Sequence, residues 1–135
     1  MRAIMVAGFA LAACCAHAQP NKELYELQAR CGEQAVRAFK QDYTPVARTK
    51  EGSTQLSNYE NHFSAQFNKC FFLEMVSFYG KNEASTSLRL FDLNENKQYG
   101  SYFKGGSGIM DCQVRDKQCS SEEEWRKLAK PYLED

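Results

Sequence analysis

The chain has 135 residues, 17 basic and 17 acidic side chains, and 43% hydrophobic residues. That balance leaves no electrostatic footprint for a nucleic-acid backbone and no polybasic segment for an anionic lipid surface. The length suits one domain, large enough to bury a core without a metal.

The chain opens with Met1-Arg2, an apolar run from Ala3 to Cys15, and a small-x-small site, Ala16-His17-Ala18, before Gln19. This is the layout of a bacterial secretory signal peptide. The run is shorter than the roughly 20 residues that span a bilayer. It predicts a cleaved leader over residues 1–18 and a single domain over residues 19–135, placed in the periplasm or secreted. Leu11-Ala12-Ala13-Cys14 has the residue types of a lipobox, in which Cys14 would carry a lipid. A signal ending at residue 13 is short for that route, and Ala-His-Ala has its small residues correctly placed. Cleavage after Ala18 is therefore the preferred reading, and a lipoprotein tethered to a membrane through Cys14 the alternative.

Leu24, Leu27, Cys31, Ala35, Ala38 and Phe39 recur at three- and four-residue steps among charged residues. The spacing predicts an amphipathic helix over residues 21–41, with Asn21 as N-cap. Gly32 inside it either weakens the helix or admits a close neighbour beside Cys31. Thr44-Pro45 marks its exit, and residues 46–57 read as a polar surface loop. The period then shortens to two. Tyr59, Phe63, Ala65 and Phe67 alternate with Glu60, His62, Ser64 and Gln66, the pattern of a half-buried strand. Asn68-Lys69 reads as a turn, and Cys70 to Tyr79 as a more continuously apolar strand. After turns at residues 80–83 and 94–96, strands follow at Thr86–Leu93 and Gln98–Phe103. Three short connections in succession imply an antiparallel meander.

Lys104 to Gly108 reads as a glycine-rich loop and Cys112 to Cys119 as a polar excursion. Ser121-Glu122-Glu123-Glu124 is a capping box ahead of a helical stripe of Trp125, Leu128, Ala129, Tyr132 and Leu133. Pro131 should loosen or end its last turn. The expected fold is α+β: an N-terminal helix, a four-stranded antiparallel meander and a C-terminal helix, with both helices on one sheet face in two layers.

Loss of the leader removes two of the six cysteines and leaves Cys31, Cys70, Cys112 and Cys119. In an oxidising compartment four thiols read as two disulfides with three possible pairings. A zinc site would show paired cysteines two to four residues apart. The closest pair here, Cys112 and Cys119, is wider, so no metal and no cofactor are expected. Cys31 lies on the helix stripe and Cys70 opens the most apolar strand, which favours Cys31–Cys70 with Cys112–Cys119. The crossed pairings remain open.

His62 is the one histidine beyond the leader. It shares a strand face with Glu60 and Ser64 at i±2, a spacing that permits a Glu-His-Ser cluster. Nothing supplies an oxyanion hole or an activating elbow, so a solvated histidine is the preferred reading. Asp92-Leu93-Asn94-Glu95-Asn96 begins like a calcium loop but has Lys97 where glycine and Phe103 where glutamate belong; it reads as turn chemistry. Gly105-Gly106-Ser107-Gly108 matches neither a phosphate loop nor a nucleophile elbow. The aromatic strands are the strongest functional feature. With both helices on one face, Tyr59, Tyr79, Tyr99 and Tyr102, together with His62, are candidates for a binding surface on the other.

Cys31-Gly32-Glu33-Gln34-Ala35, Tyr59-Glu60-Asn61-His62, Asn68-Lys69-Cys70-Phe71 and Asp92-Leu93-Asn94-Glu95-Asn96-Lys97 together resemble a group of small exported bacterial proteins of uncharacterised function. The resemblance implies a cell-envelope protein and brings no activity or ligand. The expected function is a non-enzymatic binding or accessory module of the envelope, acting on an envelope protein or small ligand. A structural or stress-related lipoprotein held by Cys14 is the second reading, and a hydrolase using His62 the third.

Overall fold

The computed structural model describes residues 21–135. The leader, its cleavage site and Cys14 lie outside the described residues.

Helix α1 spans Lys22–Asp42, one residue beyond the range its apolar stripe predicts. The Asn21 side chain accepts a hydrogen bond from the Leu24 N–H at 3.3 Å, Glu23 sits in the first turn and Lys40 in the last. These charges oppose the helix dipole at each end. Tyr43 is extended and ends the helix, its N–H donating to the Phe39 carbonyl at 2.9 Å.

The strands are β1 (Val46–Arg48), β2 (Thr54–Ser64), β3 (Lys69–Tyr79), β4 (Ala84–Asp92), β5 (Lys97–Gly105), β6 (Gly108–Val114) and β7 (Lys117–Gln118), followed by helix α2 (Glu122–Leu133). They form one antiparallel sheet in sequence order. The meander is thus correct in kind, but it has seven strands rather than four. The three missed strands have physical reasons to be silent. β1 and β7 have only three and two residues, too few to show a period. In β6, glycine and Asp111 interrupt the alternation that Cys112 and Val114 would otherwise reveal. Gly106 and Ser107 form a tight turn between β5 and β6 rather than a long loop. The β2–β3 connection is residues 65–68, with Asn68 in the left-handed region at φ 52°, so Lys69 already belongs to β3.

The layering also differs from the two-layer expectation. On β3, Cys70 and Phe72 pack with Cys31, Ala35 and Phe39 of α1. Phe71 and Leu73 pack with Trp125 and Ala129 of α2. Adjacent residues of a strand point to opposite faces, so the two helices cover opposite faces. The reason is in the strand itself. Cys70, Phe71, Phe72 and Leu73 are all buried, and a strand buried at consecutive positions requires cover on both sides.

Both disulfides follow the sequential pairing: Cys31–Cys70 ties α1 to the sheet, and Cys112–Cys119 ties β6 to the segment entering α2. The α2 cap departs in detail from the capping box. Ser121 Oγ accepts from the Glu124 N–H at 3.1 Å. The Glu124 carboxylate reaches back past it and accepts from the N–H and hydroxyl of Ser120 at 2.7 and 2.8 Å. The Ser120 N–H, aided by its hydroxyl, holds that carboxyl below its usual range. Pro131 lies within the last turn, where few bonds remain to break, and α2 runs on to Leu133.

Candidate functional site

The five surface candidates fall in different places. Tyr59 is stacked against Phe72 and tilted against Phe39, beneath α1. Tyr99 packs edge-on against Phe71 and Tyr132 on the α2 side, with the Arg115 guanidinium over its ring at 4.5 Å. Tyr102 lies in the core at 2% exposure, and burial pushes its phenol pKa up. His62 is half-buried, with Nε2 3.2 Å from the Asp135 carboxylate. Ser64, on the same face, is buried and accepts from the Phe67 N–H through its hydroxyl. Tyr79 alone is mostly in water, at 52%. The aromatic residues therefore do not make one exposed face: Tyr59 lies beneath α1, while Tyr99 and Tyr102 pack with the α2-side core.

A polar cluster that the sequence did not reveal lies where α1 meets the sheet. Glu74 and Arg89 are register partners on β3 and β4. Arg89 grips the carboxylate through Nε and Nη2 at 2.7 and 2.8 Å, the bidentate geometry that guanidinium and carboxylate favour. The Tyr43 hydroxyl donates to Glu74 and accepts from Arg89 Nη2 at 2.7 Å. Burial, then Glu74, push the Tyr43 phenol up to about 12. The group is internally satisfied and locks the end of α1 onto the sheet. Three residues so far apart in sequence carry no local signal. A charged pair at like positions of two adjacent apolar strands is the one hint available.

A second cluster organises the β4–β5 turn. Lys69 bonds Asp92 and, at 2.7 Å, Glu95; its hydrogen bond to Asp92, more than that to Glu95, raises the ammonium pKa. Asp92 Oδ1 accepts from the Asn94 N–H at 2.9 Å, and Asn94 Oδ1 accepts from the Cys70 N–H at 2.7 Å. These oxygens are turned onto backbone donors, which is the turn chemistry read from the sequence. No cluster of three or more potential metal ligands occurs among the described residues.

The surface is more informative at one end of the sheet. The β1–β2, β3–β4 and β5–β6 turns lie together there, since turns of a meander alternate between ends. α1 packs on β2 and β3, and α2 on β2, β3, β5 and β6. α2 reaches the row holding Tyr102 and Cys112. Beyond it the register gives the row Leu56, Ser77, Thr86, Lys104, Ile109. Val46, Leu56, Tyr79 and Ile109 are exposed along this overhang on the α2 face of the sheet, whereas Phe103 and Met110 are exposed on the opposite face. The opposite end is polar, with an open concavity of about 570 Å³ lined by Gln98, Tyr99, Gly100, Gln113, Arg115 and Asp116.

The two disulfides fit an exported protein, and no described helix is long and apolar enough to cross a membrane. No protein-family model, curated protein or solved structure matches the chain.

Proposed function

We propose that the protein is a non-enzymatic binding or accessory module of the bacterial envelope, working in the periplasm, and that it docks a partner protein through the overhanging end of its sheet. The observation that supports this is that Val46, Leu56, Tyr79 and Ile109 are exposed on one face of the sheet beyond the reach of α2. Scattered apolar residues are ordinary on a protein surface, but a local group of large ones marks an interaction site. Aromatic residues are also enriched at interface cores, and Tyr79, 52% exposed, supplies one here.

The test is co-purification from envelope extract with wild type, Tyr79→Lys, Ile109→Lys and, as a control on the exposed side of α1, Val36→Lys. The reading expects one partner retained by wild type and Val36→Lys and lost from both overhang variants, with all four proteins melting alike. Equal capture by all four, or capture by none, rejects it.

A further inference from the structure

We propose that the partner docked on the overhang is held through an amphipathic helix with acidic residues toward its ends, laid across the strands beside α2. The proposal rests on the overhang being the docking surface and names the chemistry of what docks there. α2 crosses the sheet from β6 to β2. Near its start the Trp125 indole N–H donates to the Gln113 carbonyl at 3.0 Å, and just past its end Asp135 meets His62. The overhang therefore runs alongside α2 as a trough, with the sheet as floor and the helix as one wall. In the corner between them lies an apolar cavity of about 330 Å³, lined by Leu73, Trp125, Ala129 and Leu133 and edged by Arg126 and Lys130. Outward from it, on the same face, the register places Met75 and then the row holding Leu56 and Ile109. Met75 is half-buried, and Leu56 and Ile109 are exposed.

Charge selects the occupant. The charged side chains on the strands of the overhang are Arg48 and Lys104, which the register puts on the same face as Val46 and Ile109. Both are exposed, and neither forms an ion pair among the described residues. The α2 wall is already neutral, since Arg126 pairs with Glu122 and Lys130 with Glu134. Glu60 lies two rows further in, in the corner cavity with Lys130. A cationic or uncharged segment would leave Arg48 and Lys104 covered without a counter-charge. The two stand at β1 and β5, four strand steps or about 19 Å apart. A helix rises 1.5 Å per residue, so carboxylates about thirteen residues apart on it reach both. The shape of the trough selects a helix. Its three uncovered rows, at about 7 Å each, take a cylinder about 10 Å across. A strand laid across the sheet would leave its own N–H and C=O groups unpaired.

The experiment is a backbone-amide NMR titration of the purified protein with a synthetic helical peptide of leucine and alanine. The peptide has a leucine stripe at three- and four-residue steps and glutamates near both ends, and a second peptide has lysines in their place. Expected are saturable shifts at Leu56, Met75, Lys104 and Ile109 with the glutamate peptide, and none with the lysine peptide. Arg48→Glu and Lys104→Glu should each weaken binding by about three- to tenfold, with unchanged melting, and the double variant should bind the lysine peptide instead. Phe103→Lys, on the opposite face, should bind as wild type does. No saturable shifts, equal binding of the two peptides, or undiminished binding by both charge reversals overturns the proposal. The co-purification separates the two readings. A partner lost from Tyr79→Lys and Ile109→Lys but kept by the Arg48→Glu, Lys104→Glu double variant overturns the acidic helix and leaves the docking surface standing. Equal capture by Tyr79→Lys and Ile109→Lys overturns both.

Discussion

At the scale of single residues, the Tyr43–Glu74–Arg89 cluster has an unequal solvent exposure that decides how it behaves. The Glu74 side chain is 4% exposed and Arg89 41%, so Arg89 has an escape to water and Glu74 has none. The group's weak point is therefore the carboxylate. Tyr43 matters because it donates to that carboxylate, and it can do so only while protonated. Its phenol pKa is raised from 10.0 to about 12, which means the folded state holds the proton more tightly than the unfolded chain. A raised pKa contributes stability that is complete below pH 10 and is lost as pH climbs through the folded value. Tyr43→Phe removes this component. The stability gap between wild type and Tyr43→Phe should be flat below pH 10 and shrink between 10 and about 12. Urea unfolding at a series of alkaline pH values measures it. A gap independent of pH across that window would show that the phenol does not titrate against Glu74.

At the scale of elements, what could be read from the sequence was whatever repeats locally. The stripe from Leu24 to Phe39 gave α1 nearly to the residue, and the run from Ser121 to Leu133 gave α2 and its Ser121 cap. Period-two alternation revealed β2, a continuous apolar run revealed β3, and the flanking turns revealed β4 and β5, although Thr54–Ser57 of β2 was lost inside an apparent polar loop. β1, β6 and β7 were too short or too interrupted to show a period. The disulfide pairing was legible because Cys31 sits on a helix face that must meet the sheet. The helix placement was legible in principle, since Cys70 to Leu73 cannot be buried by a helix on one side. The overhang and the polar concavity were not, because both are made by where the helices stop. Gly32 separates the two readings left open for it. A Cβ at that position meets nothing within 4 Å, so no close neighbour explains the glycine and only its helix-weakening effect remains. Gly32→Ala should stabilise the protein by about 0.5–1 kcal/mol. Denaturant midpoints compare the two directly, and a destabilised Gly32→Ala would mean that α1 must bend beside Cys31.

At the scale of the whole molecule, one sheet separates two unequal cores. The α2 side is large, with Phe71, Leu73, Leu88, Leu90, Tyr102, Val114 and Trp125 in one cluster. The α1 side is divided into two small clusters, around Phe63 and around Phe72. Helix α1 buries only Cys31, Ala35 and Phe39, whereas Trp125 of α2 is fully enclosed and hydrogen-bonded to Gln113. On burial alone α1 is the weaker layer. It is held by the Tyr43 cluster at one end and by Cys31–Cys70 near its middle. That bridge spans 39 residues, and in the loop-entropy model such a closure contributes about 4 kcal/mol. Cys112–Cys119 closes only 7, and the same model gives it about 2.5 kcal/mol. The two bridges should therefore differ in kind as well as in size. Loss of Cys31–Cys70 removes the tether of a lightly packed layer, and loss of Cys112–Cys119 loosens a hairpin beside a core that Trp125 still fills. In the Cys31→Ser, Cys70→Ser double variant, amide exchange should accelerate through α1 well before β3 to β6, because α1 opens as its own unit. In the Cys112→Ser, Cys119→Ser variant, acceleration should stay near β6, β7 and the start of α2. Hydrogen exchange read by mass spectrometry resolves both patterns, and a uniform rise across the sheet in the first variant would show that the two faces unfold together.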